Sequence, residues 1–372
     1  MDKLLLTLLL VFSLCPDSYR GVRAQETSAA NAVLDQTEIN VHPGQELLTM
    51  IQILAGKYRQ PNPSKYTAEF RQHFSKFDQH AAVKHLQKIE ARLYTDVPEL
   101  GWCISGFPEP KLYLPETNLW YDEYGKETVQ EYLKLALEFA KESDFWTFYS
   151  AHQSDYQSWA AATRKVLDSL GYPEKLADFY RIGNPKLPQP IFYIALDPLN
   201  SWGAHAVPHV GELNPAFAKY KAYSLGFWNR NGDETTIPSF SGTNFLSDLV
   251  WHEGSHIYLN EMLAKYTAEI EAISHLYNGD EKKMKNQSIS TWSYCFEENL
   301  VRGIVIALTK QHQSTRRFRE QAADELLSGF IYAEDIAGWL EQNYLNQRAT
   351  SLEAMLPSLI TWLGDRYDGV PK

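Results

Sequence analysis

The stretch from Phe245 to Leu263 holds one short polar motif within an otherwise almost entirely apolar segment. The motif is His252-Glu-Gly-Ser-His256, and apolar residues surround it on nearly every helical face. A helix that is apolar all round belongs in the core of a large domain, so we expect this segment to be a buried helix. Polar groups in such a place need partners or a metal ion, because their uncompensated burial is costly.

The spacing within the motif is that of a metal site. His252 and His256 are four residues apart and share one face of a helix, where two imidazoles can bind one ion. Zinc takes neutral imidazoles at about 2.0–2.1 Å and keeps a coordination position for water. Glu253, one position further round, can accept a proton from that water, so the motif predicts two zinc ligands and a general base. Gly254 costs about 1 kcal/mol within a helix, and we expect it to leave space beside the metal.

A third protein ligand must come from elsewhere in the chain. The residues after the motif, Ile257–Met262, contain no His-x-x-Gly-x-x-His continuation, which excludes the three-histidine class. Three further glutamates follow within about four turns and would point away from the motif or along the axis. These are Glu261, Glu269 and Glu271. Glu297 and Glu298 are better candidates when Tyr294–Arg302 forms a helix, but periodicity does not choose between them.

With these residues the chain resembles the gluzincin group of zinc metallopeptidases. More narrowly, over roughly residues 190–365, it is similar to a family of secreted bacterial proteins of uncharacterised function. In that family a His-Glu-x-x-His helix precedes a Glu-x-x-x-Arg helix, which here reads Glu298-Asn-Leu-Val-Arg302. The resemblance favours Glu298 over Glu297 and implies zinc held by His252, His256 and Glu298, with Glu253 as the base.

The sequence also departs from known gluzincins. Thermolysin-like enzymes carry an aspartate four residues after the ligand glutamate, where it orients a ligand histidine, and this chain has Arg302 there. The Gly-x-Met-Glu-Asn signature of aminopeptidases is absent as well. Support for the ligand histidines must therefore come from other residues. Asp248, one turn before His252, is a candidate for such a contact, although the interpretation we favour is a surface residue in the first turns of the helix.

The periodicity of the sequence changes near residue 190. Residues 45–189 show helical spacing and are predicted to form a helical N-terminal region. Residues 190–372 are predicted to form a zincin-like catalytic region that begins with short strands and then returns to helices. The predicted strands are Pro190–Leu196, Ala204–Val210 and Ala222–Asn229. The expected fold class is therefore α+β and zincin-like, mainly helical with a small β-sheet beside the motif helix.

The first 44 residues are predicted to lie outside the folded protein. Lys3, the apolar run Leu4–Cys15 and the small-x-small sequence Val22–Ala24 are typical of a signal peptide at residues 1–24, cleaved after Ala24. We therefore expect export to the periplasm or the medium, with no transmembrane segment in the mature chain. Cys15 leaves a lipid anchor as an alternative, but Leu14 is a poor residue before a lipidated cysteine. Residues 25–44 are polar and patternless and are expected to form a flexible leader.

The composition of the chain limits the kinds of partner that it can bind. The net charge of −11 provides no positive surface for phosphate backbones, which argues against nucleic-acid binding. Hydrophobic residues make up 44% of the chain, as expected for a globular protein. Cys103 and Cys295 can form a disulfide after export or remain separate buried thiols, and the sequence leaves both readings open.

These features predict a secreted zinc metallopeptidase that hydrolyses peptide bonds with a zinc-activated water and Glu253 as general base. The alternative is a non-catalytic, zinc-holding binding protein on a zincin scaffold. Glu253 favours the enzyme, because a structural zinc site needs no base. The segment Trp202–Val207 is predicted to be an edge strand that pairs with an extended peptide substrate. The sequence leaves the donor to the oxyanion open among five residues: Tyr294, Tyr332, His205, His209 and His312.

Overall fold

The computed structural model describes residues 36–57, 60–89, 93–201, 203–227, 233–279, 281–287 and 289–368. The predicted signal peptide and the first part of the predicted leader lie outside these residues. The described part is mainly helical with a small sheet, which confirms the α+β class. None of its helices combines the length and the apolar character needed to cross a membrane.

The first half of the chain is helical, as predicted. Its helices are α1 (Pro43–Leu54), α2 (Lys65–Phe74), α3 (Ala81–Gln87), α4 (Leu93–Leu100), α5 (Leu119–Tyr124), α6 (Lys126–Glu142), α7 (Phe145–Ala151), α8 (Gln153–Leu170) and α9 (Tyr172–Arg181). Gly171 has a φ of 59° and ends α8 in the left-handed conformation that favours glycine, and Pro173 then lies in the first turn of α9.

A four-stranded sheet forms the centre of the fold. Its strands are β1 (Glu38–Asn40), β4 (Ile191–Asp197), β5 (Ala204–Val207) and β6 (Tyr220–Gly226), in the order β1-β4-β6-β5. β1 and β6 run parallel to β4, whereas β5 runs antiparallel to β6 and occupies the edge. A separate two-stranded pair joins β2 (Ile104–Ser105) to β3 (Lys111–Leu112). The three predicted strands are thus present, although β5 is shorter than predicted.

The second half of the chain returns to helices after the sheet. They are α10 (Val210–Leu213), α11 (Thr243–Leu263), α12 (Thr267–Ala272), α13 (Glu281–Asn286), α14 (Trp292–His312), α15 (Thr315–Ser328), α16 (Ala333–Leu340) and α17 (Leu352–Tyr367). The motif lies in α11, which packs against β5, β6, α9 and α14. Val250, Trp251 and Leu259 are at most 1% exposed, so the prediction of a buried helix is confirmed.

The prediction of a flexible leader over residues 25–44 is wrong for its last part. Glu38–Asn40 form β1 and pair with Tyr193–Ala195 of β4. Val41 and His42 are buried, and the hydroxyl of Tyr149 donates to the Val41 carbonyl oxygen over 2.6 Å. A strand of three residues is too short to show an alternating pattern, which explains why this strand was not predicted from the sequence.

The two faces of the sheet carry different helices. α1 covers one face, where Gln45 donates to Asp197 and Ser224. α11 covers the opposite face, where Tyr258 approaches Phe192 with ring centroids 6.5 Å apart. Residues 192 and 197 point to opposite faces because side chains alternate along a strand. The edge strand β5 therefore borders the face on which the motif lies.

Cys103 and Cys295 are not joined by a disulfide in the structure. Cys103 lies in a 3₁₀ turn after α4, and Cys295 lies in the first turns of α14. Both side chains are buried. The disulfide that the sequence left open is therefore absent from the structure.

Candidate metal centre

The two motif histidines point to the same place from successive turns of α11. His252 Nε2 and His256 Nε2 lie 3.3 Å apart. Both imidazoles are mostly buried, with 16% and 13% of their side chains exposed. Because two ring nitrogens at this distance cannot both carry a proton without repulsion, their arrangement fits a shared proton or a shared cation.

The third group comes from α14. One oxygen of Glu298, Oε1, lies 3.4 Å from His256 Nε2, and the other, Oε2, lies 3.6 Å from His252 Nε2. The ligating atoms of the three residues all lie within 4.8 Å of one another, and the group could hold a metal ion. The helix brings Glu298 inward because its apolar neighbours, Leu300 and Val301 among them, are fully buried.

The spacing of the two histidines fits a tetrahedral ion. Two ligands about 2.0–2.1 Å from such an ion lie about 3.3–3.4 Å from each other. The two Nε2 atoms, 3.3 Å apart, match this value, and the separations of 3.4 and 3.6 Å join each of them to a different oxygen of Glu298. Two imidazoles and one carboxylate form a donor set that suits zinc.

Glu297 contacts the other side of His256. Its Oε1 lies 2.7 Å from His256 Nδ1, so the imidazole can donate there while Nε2 remains free for a ligand. Zinc-binding histidines in proteins almost always have such a partner. The two glutamates between which periodicity could not choose thus take different places, with Glu298, which the resemblance favours, beside both Nε2 atoms and Glu297 behind one imidazole.

Charge and burial act together on these groups. Burial, with Arg302 and His256 adding to it, lowers the pKa of His252 well below its usual value, against the opposing charge of Glu298. Burial also lowers the pKa of His256, but the hydrogen bonds to Glu297 and Glu298 prevail and raise it. Burial alone would raise the pKa of Glu298, yet His256, His252 and Arg302 hold it below its usual value. These shifts favour an ionised Glu298 that faces a neutral His252 and a protonated His256.

Glu253 lies beside this group and below the edge strand. Its carboxyl group is 5% exposed, and burial raises its pKa to about 7, whereas the charge of His256 and a hydrogen bond from the backbone of Ala206 lower it. Ala206 belongs to β5, so the edge of the sheet and the motif helix meet at this carboxylate. A carboxyl group with a pKa near neutrality can both accept and return a proton.

Gly254 serves packing, so the expectation that it leaves space beside the metal is wrong. A Cβ atom at this position would lie 2.4 Å from Leu176 Cδ2 of α9. Leu176 is fully buried. The glycine is therefore where α9 and α11 approach each other most closely.

The predicted edge strand is at the edge of the sheet. β5 spans Ala204–Val207 and pairs only with β6 among the described strands, while Trp202 lies outside the described residues. Its outer side can accept an added strand, because edge strands present unpaired backbone groups.

The five oxyanion candidates differ in their surroundings. The hydroxyl of Tyr332 donates to the Leu276 carbonyl oxygen within the core, and His312 packs against Trp251. His205 is paired across strands with Ser224, so it points to the sheet face opposite α11.

Two candidates remain near the site. Tyr294 lies one turn before Glu298 on α14 and is 44% exposed. His209 Nε2 is 3.1 Å from Asn260 Nδ2, one turn after His256 on α11.

Asp248 is a possible contact of a ligand histidine from its sequence position, but in the structure it pairs with other residues. Asp248 forms a salt bridge with Arg317 of α15 and accepts a hydrogen bond from Ser247. Arg302, at the position where thermolysin-like enzymes carry an aspartate, forms salt bridges with Glu298 and with Glu325. The sequence marked Arg302 as part of the family pattern and as a departure from thermolysin-like enzymes, but it did not predict these salt bridges, because Glu325 lies on a different helix.

Comparison with known proteins covers the part of the chain that carries these residues. Residues 233–362 match the family model described as "Domain of unknown function (DUF4932)". The match includes α11 and α14, and hence His252, Glu253, His256 and Glu298. No curated protein matches the chain, and no solved structure matches it.

Proposed function

We propose that the protein is an exported, zinc-dependent metallopeptidase of the zincin type, with residues 1–24 as its signal peptide. The observation that carries the proposal is the convergence of His252, His256 and the Glu298 carboxylate, with the two Nε2 atoms 3.3 Å apart as in tetrahedral zinc sites. Glu253 stands beside that group as a buried carboxyl group at the sheet edge. This combination of a three-residue ligand set and an adjacent base is that of hydrolytic zinc sites.

Each residue of the site has its own role in the proposed reaction. His252, His256 and Glu298 would hold zinc, which when bound lowers the pKa of water and polarises a carbonyl group. Glu253 takes a proton from the attacking water and passes it to the leaving amine. The backbone hydrogen bond from Ala206 and the burial of the side chain hold the carboxylate of Glu253 beside the edge strand β5.

The substrate that the surface favours is an extended peptide. The edge strand β5 carries the backbone group that contacts Glu253, so a peptide added to its free side would lie along the site. Backbone hydrogen bonds to an edge strand bind peptides with little dependence on sequence. Tyr294 or His209 would then supply the donor to the oxyanion, since Tyr294 lies one turn before Glu298 on α14 and His209 contacts Asn260, one turn after His256 on α11.

Cleavage of a mixed peptide library tests the proposal. The zinc-loaded wild-type protein should cleave library members, and Glu253→Gln should bind one zinc ion per chain yet lose about 10²–10⁴-fold in rate. Glu261→Gln, a change further along the same helix, should cleave as the wild type does. Zinc binding without any cleavage that depends on Glu253 would instead support the non-catalytic zinc-holding protein.

A further inference from the structure

Arg302 links the third ligand to a second carboxylate. It lies one turn after Glu298 on α14, and its Nη2 is 3.3 Å from Glu298 Oε2. Its Nη1 is 2.6 Å from Oε2 of Glu325 on α15. The guanidinium also lies over Phe330, with Cζ 3.6 Å from the ring centroid. Three separate contacts therefore determine where this side chain can be.

The carboxylate of Glu325 is itself held in place. Gln321 donates from Nε2 to Glu325 Oε1 over 2.9 Å, and Arg317 donates to Gln321 Oε1 over 2.7 Å. Arg317 also pairs with Asp248. Asp248 lies on α11 one turn before His252, so this chain of polar contacts begins at one ligand helix and ends on the other. Its members lie on three helices, and each restricts the next.

The contacts of Arg302 require a planar guanidinium, and a positive charge of another shape would not make all of them. Arg302 uses two nitrogens for two carboxylates on different helices and lies over an aromatic ring. A lysine ammonium is a compact point charge and does not reproduce this planar fork. Burial of a charge is costly unless it is paired, and here the guanidinium is paired on both sides.

We propose that Arg302 is a positioning residue that holds the carboxylate of Glu298 beside the two imidazoles, with Glu325 as its anchor. The inference rests on the metal site of the proposed function, and it is independent of whether the protein cleaves peptides. Outer contacts of this kind typically change metal affinity by about 10–100-fold when they are lost.

A purely electrostatic role for Arg302 predicts the opposite change in zinc affinity. If Arg302 acted only through its positive charge, Arg302→Met would remove repulsion toward the cation and bind zinc more tightly, and Arg302→Lys would leave affinity unchanged. If Arg302 positions Glu298, both substitutions weaken zinc binding, and Lys does not restore it. The two accounts therefore differ in the sign of one effect and in the outcome of the conservative change.

Zinc affinity and a cobalt spectrum together test the inference. The metal-free full chains are titrated with zinc in competition with a chromophoric chelator, and then with Co²⁺, whose visible bands depend on ligand geometry. We expect Arg302→Lys and Arg302→Met to lose about 10–100-fold in zinc affinity and to change the cobalt bands. Glu325→Gln, which keeps the hydrogen-bonding shape but weakens the anchor, should lose less. Arg366→Lys, which disturbs a guanidinium paired with Asp335 on α16, should match the wild type.

The outcomes separate the two proposals. Wild-type affinity and spectrum in Arg302→Lys, or tighter binding by Arg302→Met, would overturn the positioning role and leave the metal site intact. A wild-type chain that binds no zinc would overturn the metal site and this role together. If Arg302→Met does not fold, as circular dichroism of the metal-free chain would show, Arg302→Lys and Glu325→Gln decide the question.

Discussion

His256 lies where the two helices of the site meet. Its Nδ1 atom contacts Glu297, and its Nε2 atom faces Glu298, so neighbouring residues of α14 serve opposite sides of one imidazole. Adjacent helical positions are about 100° apart, which lets one side chain reach behind the ring and the other in front of it. The two glutamates thus differ in the nitrogen of His256 that each one reaches, which is Nδ1 for Glu297 and Nε2 for Glu298.

Substitution of either glutamate should have distinct effects on zinc affinity. Glu297→Ala removes the partner of Nδ1 and should weaken zinc binding by about 10–100-fold. Glu298→Ala removes a ligand and should weaken it further, whereas Glu253→Gln leaves the ligands intact and should bind zinc as the wild type does. Chelator competition on the three metal-free variants measures this order. Loss of zinc in Glu297→Ala with full binding in Glu298→Ala would show that the roles are reversed.

At the scale of elements, the position of α11 depends on its contact with α9. Gly254 allows the two helices to approach until a Cβ would lie 2.4 Å from Leu176. Leu176 is fully buried, so it has little room to move. The same helix carries three of the site residues, and a shift of α11 would change their distance from α14.

Gly254→Ala should therefore destabilise the protein in spite of alanine's better helix propensity. Alanine gains about 1 kcal/mol in the helix, but overpacking a full core costs about 1–3 kcal/mol, and we expect a net loss of about 1 kcal/mol. Chemical denaturation of the metal-free chain measures the free energy of unfolding. The double variant Gly254→Ala/Leu176→Ala should lose less than the sum of the single changes. Additive losses would show that the two residues do not press on each other.

At the scale of the whole molecule, α1 packs on the sheet beside two buried carboxyl groups, Glu46 of α1 and Asp197 of β4. Glu46 and Asp197 are each 1% exposed, and Tyr66 donates to Glu46 Oε1 over 2.6 Å. Burial raises the pKa of Glu46 well above its usual value, and the nearby charge of Asp197 adds to this effect. Burial also raises the pKa of Asp197 to about 6. We therefore expect the stability of the sheet face opposite the site to depend on pH.

Glu46→Gln should stabilise the protein increasingly as the pH rises. Below the unfolded-state pKa of about 4.5, Glu46 is protonated in both states and the two chains should be similar. Above that value the unfolded wild type ionises while the folded state retains its proton, so wild-type stability falls until the pH passes the raised folded pKa. Thermal unfolding at pH 5 and pH 8 measures the difference. Glu138→Gln, on the exposed side of α6, should show no such trend, and an equal trend there would contradict the account.

The sequence predicted local features well and pairings between distant residues poorly. The burial of α11 followed from its apolar run, and β4 followed from its continuous apolar stretch. The three residues of β1 carry no periodic signal, since their place depends on pairing with β4. The link between Arg302 and Glu325 joins two helices whose relative position no local pattern encodes.

X-ray diffraction at the zinc absorption edge, on crystals of the zinc-loaded protein, tests the central claim most directly. The account predicts one anomalous peak per chain, about 2.0–2.2 Å from His252 Nε2, His256 Nε2 and the Glu298 carboxylate. A zinc peak coordinated elsewhere, or by Glu297 in place of Glu298, would contradict it.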